Sequence, residues 1–169
     1  MDFLSLFPTI DLFILFLFAV VVALNVIFIK KEKLFISFIS LYTAFVLVIV
    51  VPMFSAVTRD WFASHELARL LAFVVVKFGL IFALWHSNLG TFSKRVSPTE
   101  ASTSFGYRLG LEGLFFTTII FFLPVFLKSY FGNITIFLFG NLIAMLFWFV
   151  LPLFFAFAYR FKTRRGWIE

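Results

Sequence analysis

Apolar residues run along this chain in five long blocks, at about 9–29, 34–56, 66–87, 109–127 and 134–159, and polar residues gather mostly between them. Crossing the hydrocarbon core of a bilayer takes roughly 20 apolar residues in a helix, and each block reaches about that length. The pattern predicts an all-α polytopic membrane bundle of five spans. The turn "KKEK" after the first block is so short that blocks one and two form an antiparallel hairpin. The connection "SAVTRDWFASHE" carries Trp61 and Phe62, rings suited to the headgroup level. In the following connection Ser97, Pro98 and Glu100 spell a capping box with proline at the first helical position. The fourth helix is therefore expected to begin near residue 98, before it enters the membrane. Pro52, Pro124 and Pro152 lie toward the ends of their blocks, where proline kinks or ends a helix.

Charge orients the pattern. Lys30, Lys31 and Lys33 follow the first block; Lys94, Arg95 and Arg108 lie between the third and fourth; Arg160, Lys162, Arg164 and Arg165 follow the fifth. On the other side Arg59, Arg69 and Lys128 are offset by Asp2, Asp60 and Glu66. With five spans the three basic regions share one side, which the positive-inside rule makes cytoplasmic. The N-terminus is then outside and the C-terminus inside. The opening "MDFLSLFPTIDLFILF" has no basic stretch and no small-residue cleavage site, so the first span is expected to be retained rather than removed as a signal peptide.

Composition agrees. The 169 residues are 63% hydrophobic and only 13% charged, where soluble domains carry about 25% charged residues. Thirty phenylalanines belong against lipid or inside a helix bundle, and the length suits one transmembrane domain over 1–169. With no cysteine there is no disulfide or thiolate chemistry. The net charge of +6 sits at the ends of apolar blocks, which favours anionic lipid headgroups over nucleic acid. His65 and His86 fall on opposite sides of the membrane, so no histidine metal site is expected, and no catalytic motif such as HExxH or GxSxG is present. No enzyme activity and no cofactor are expected.

Candidate chemistry is confined to polar groups inside the apolar blocks. Lys77 interrupts "LAFVVVKFGLIF" at about 15 Å depth, near the midplane, where a lysine costs roughly 2.5 to 3.5 kcal/mol on insertion scales. It is expected to face protein rather than lipid. Glu112 is the carboxylate nearest to it, entering from the cytoplasmic end of the fourth block; Asn25, Asn141 and Tyr42 are further partners by type. Three readings stay open: a structural hydrogen bond, a Lys77–Glu112 pair, or a polar path for a solute or ion. His86 is out of phase with Lys77 on the helix, and Asp11 lies at the outer edge of the first span as a cap or a water-facing group. Gly106, Gly110, Gly113 and Thr117 recur at i, i+4, i+7 and i+11, one small-residue ridge for close helix packing, within the chain or between subunits. That same face would be the groove if a substrate bound there.

"TIDLFILFLF", "IKKEKLF" and "YRLGLEGLFF" together resemble the colicin V production protein family, small bacterial inner-membrane proteins, over about residues 9–127. The resemblance implies a membrane role in toxin production or export and in envelope maintenance, in the inner membrane of a bacterium, with no catalytic residues to assign. The chain departs from the family in having no glycine from Asn25 to Leu34 and in its fifth block. The expected function is non-enzymatic, exercised through helix packing with a membrane partner or a second copy, with anionic lipid at the basic ends. The alternative is a transport component using Lys77 and Glu112.

Overall fold

The computed structural model describes residues 9–65, 67–87, 89 and 101–165, with side chains described between 10 and 157. Ser97, Pro98 and Glu100, together with Asp2, Glu66, Lys94 and Arg95, lie outside the described residues. Helices α1 (Thr9–Phe28), α2 (Leu34–Phe54), α4 (Ala68–Trp85) and α5 (Ala101–Phe122) are each long and apolar enough to cross a membrane. No strand occurs among the described residues.

A 3-10 turn at Lys31–Lys33 makes the α1–α2 hairpin. The Lys33 ammonium lies 3.4 Å from the centroid of the Trp85 ring, joining this turn to the end of α4 by a cation–π contact. Pro52 falls in the last turn of α2. The connection that follows is a short helix, α3 (Ala56–Ser64), capped at its start by the Ser55 hydroxyl, which accepts from the Thr58 amide. Its Trp61 is half exposed, as suits a helix lying at the interface.

Two spans differ from the sequence pattern. The fourth block, read as 109–127, is a helix shifted toward its N-terminal side, ending at Phe122. Leu123 and Pro124 break it, since proline has no amide to continue the ladder, and a single turn α6 (Val125–Lys128) follows. Arg108, assigned above to a connection, is thereby inside α5 and only 4% exposed. The fifth block, read as 134–159, is broken: one turn, α7 (Asn133–Thr135), leads into a π-helical turn (Ile136–Gly140) and then α8 (Leu142–Arg165), with a bend of 47° between the two arms. The bent pair counts as a fifth span if the two arms cross together.

α5 is the centre of the bundle. It is buried nearly all round, against α8 on one side and α1 and α2 on others. Leu114 and Phe139, with Leu41 and Ala44 of α2 and Phe73 of α4, form the sealed interior. The outer faces of α1 and α4 are apolar and exposed, Phe16, Ile27, Val75 and Phe82 among them, which is the arrangement expected where lipid replaces water.

Candidate functional site

Among the described residues five elements carry the buried polar groups: α1, α2, α4, α5 and α7. On α5, Ser104, Arg108 and Glu112 follow at steps of four and so share one stripe of the helix. The stripe meets the last turn of α1. There the Arg108 guanidinium donates through Nη1 to the Asn25 backbone carbonyl and, at 3.0 Å, to Asn25 Oδ1. The Asn25 amide donates in turn to Glu112 Oε1 at 2.5 Å, and Arg108 Nε reaches Ser104 Oγ at 3.4 Å. Asn25 thus accepts from a cation and donates to an anion, so both its oxygen and its nitrogen are used.

Lys77 is buried on α4 with its ammonium 3.2 Å from the centroid of the Phe115 ring and 5.2 Å from that of Phe78. It and Glu112 act on each other through space. Yet Lys77 and Glu112 are not joined within the 4.0 Å of an ion pair, as Arg59 and Asp60 are. The ring of Phe115 stands where a carboxylate would be expected. Dispersion and the ring quadrupole compensate a desolvated ammonium in part. Two interior hydroxyls, Ser40 Oγ and Thr117 Oγ1, are buried with no hydrogen-bond partner.

The other residues singled out by type lie elsewhere. Tyr42 donates its hydroxyl to the Phe149 carbonyl at 2.5 Å, tying α2 to α8. Asn141 sits at the break before α8. Its Nδ2 donates to the carbonyl of Phe137 at 2.8 Å and to that of Ile136 at 3.3 Å, while its Oδ1 accepts from the Ala144 amide at 2.7 Å. Trp148 Nε1 takes the Leu138 carbonyl at 2.7 Å. A π turn frees carbonyls that lipid cannot satisfy, and these two side chains satisfy them. Asn141 therefore serves the helix break, and not Lys77.

The glycine ridge packs inside the chain. A methyl group at Gly113 would overlap the Trp148 ring, one at Gly106 the Phe155 ring, and one at Gly110 would meet Pro152 at 3.0 Å. All three contacts belong to α8. Thr117, the last member of the ridge, is buried.

Sequence reading missed Arg108 and Ser104 as site members. The spacing of Ser104, Arg108 and Glu112 at i, i+4 and i+8 was the available signal, hidden because Arg108 was counted with the basic connection. It also left Asp11 undecided. The Asp11 carboxylate is fully buried and accepts from the Gly132 amide at 2.9 Å, the Ile134 amide at 3.1 Å and the Thr135 hydroxyl at 2.6 Å. It caps the start of α7 from another helix. Among the described residues His65 and His86 bond to their own helical turns, through the Trp61 and Phe82 carbonyls and Ser64. No group of metal-ligating side chains occurs among the described residues. Outside the spans, Lys128 donates to the Phe121 carbonyl at 2.8 Å, and partial burial lowers its pKa from the ordinary lysine value.

Together these features define an all-α bundle of membrane-spanning type, with one charged cluster at the α1–α5 contact and a buried lysine beside it. No family model, curated protein or solved structure matches the chain.

Proposed function

We propose that this protein is a non-enzymatic integral membrane protein of a bacterial inner membrane, acting in secretion or envelope homeostasis by packing against membrane partners. The proposal keeps the N-terminus outside and the C-terminus in the cytoplasm, and it extends the resemblance to the colicin V production proteins. The observation that carries it is the bonding of five interior polar side chains to one another and to backbone carbonyls. Arg108, Asn25 and Glu112 bond to one another, and Tyr42 and Asn141 to backbone carbonyls. Such a set holds helices in register and presents no convergent acid, base and nucleophile. The small-residue ridge is consumed by α8, so partners meet the exposed apolar faces of α1 and α4.

A second reading, a transport component for a small solute or ion, is favoured by Lys77. An intramembrane ammonium beside a carboxylate it does not touch is a functional signal by default. Cysteine accessibility separates the two. The native chain has no cysteine, so Lys77→Cys can be treated with membrane-impermeant thiol reagents from each side, with Ser129→Cys and Lys31→Cys as loop controls. The scaffold reading expects position 77 to be protected from both sides, with 129 labelled only from outside and 31 only from inside. Labelling at 77 comparable to a loop control would replace it with the transport reading, and labelling of 31 from outside would reverse the orientation.

A further inference from the structure

A cavity of about 550 Å³ opens at the corner where α2, α3, α4 and α5 meet. Most of its wall is apolar, from Ile49 and Met53 on α2 and Phe121 and Phe122 on α5. Two arginines from different helices complete it: Arg59 on α3 and Arg69 in the first turn of α4. The volume falls in the range of about 300–1,000 Å³ typical of small-molecule sites. An apolar trough ending in two guanidinium groups is complementary to one kind of molecule, an amphiphile with an anionic head.

We infer that this groove binds an anionic phospholipid taken from the surrounding leaflet, its phosphate at the Arg59 and Arg69 end and an acyl chain along Ile49, Met53 and Phe121. The inference rests on the membrane setting of the helices and not on the scaffold reading. Arginine forks match phosphate oxygens in pairs. Arg59 contacts its neighbour Asp60 through Nε at 3.6 Å, with both side chains mostly exposed. Such a pair between exposed groups contributes little, so a phosphate can displace or join it. Asp60 is the acidic neighbour of Arg59 in the chain, and Lys128 donates to the backbone carbonyl of Phe121, a residue of the wall. The position suits the occupant: the arginines lie where α3 and the start of α4 meet the headgroup level, and the apolar wall follows α2 and α5 into the spans.

The test is lipid retention by native mass spectrometry. The purified full chain is offered equal amounts of phosphatidylglycerol and phosphatidylcholine with identical acyl chains. The wild type is expected to retain the anionic lipid with a preference of roughly thirtyfold, as two arginines at about 1 kcal/mol each near a membrane surface would give. Arg59→Gln with Arg69→Gln should reduce that preference to near parity, with helicity by circular dichroism unchanged. Lys30→Gln with Lys31→Gln, which removes the same charge at the opposite end, should leave it intact. Ile49→Trp, which fills the trough with both arginines present, should abolish it and decides the matter if the arginine variant fails to fold. Equal retention of the two lipids by the wild type would overturn the inference. So would preference that survives Ile49→Trp, or that falls as far in the Lys30 and Lys31 variant, which would indicate diffuse charge attraction.

Discussion

Asp11 and Lys77 are both charged residues buried in membrane-spanning helices, and they are treated in opposite ways. Asp11, in the first turn of α1, receives two backbone amides and a hydroxyl, so its carboxylate has a full set of donors. Lys77, in the middle of α4, is covered by a phenylalanine ring and sees Glu112 only at a distance. Asn25, at the other end of α1 and about 21 Å from Asp11 by helical rise, is as fully engaged as Asp11, so the shortfall belongs to Lys77 and not to that whole end of the bundle. A saturated charge is a structural device, because any change of state breaks several bonds at once. An unsaturated one can change partner or protonation at small cost, and that is the property a working site needs.

The comparison can be broken at four points. Asp11→Ala should have the largest effect, a loss of about 3–4 kcal/mol in reversible unfolding from mixed micelles, because three donors lose a charged acceptor inside the bundle. Asp11→Asn, which keeps one acceptor oxygen, should recover roughly half of that loss. If Asp11→Ala proved neutral, the cap would not hold α7 and the contrast would fail at its first term. Arg108→Met should cost about 2 kcal/mol, since the Asn25 carbonyl and Oδ1 lose their donor while Glu112 keeps its bond from Asn25.

Lys77→Met should stay within about 1 kcal/mol of the wild type, or be more stable, since an apolar residue of similar length replaces a poorly compensated ammonium. A large loss there would mean that Lys77 is as saturated as Asp11. The smallest effect is expected for Thr117→Val, within about 0.5 kcal/mol or slightly stabilising, because the hydroxyl it removes has no partner. Clear destabilisation would point to an acceptor for Thr117 that the bundle provides in the membrane.

Much of the architecture was legible in the residues alone. The four long apolar helices, with a fifth span only if the bent pair crosses as one, follow from apolar length, which is set locally by transfer into hydrocarbon. The ridge of Gly106, Gly110 and Gly113 was legible as a close-packing face for the same reason: small residues at helical spacing mean approach of backbones, whichever helix approaches. Less was legible where two local signals competed. Arg108 counts as a loop cation by charge and as a helix residue by its spacing from Ser104 and Glu112, and charge alone put it in the wrong element. The break at Asn141 was invisible because its flanks, "ITIFLFG" and "LIAMLFW", are as apolar as any span.

The residues alone thus fix the helical class and the turn between α1 and α2, both governed by the free energy of single segments in lipid or water. Which polar groups meet is settled by the packing of the helices. Glu112 goes to Asn25 and Lys77 to the face of Phe115, Asp11 caps a turn more than a hundred residues away, and the glycine ridge closes on Trp148 and Phe155. Those pairings depend on how helices rotate against one another, and in lipid that rotation is set by side-chain packing across the whole bundle, which no single segment encodes.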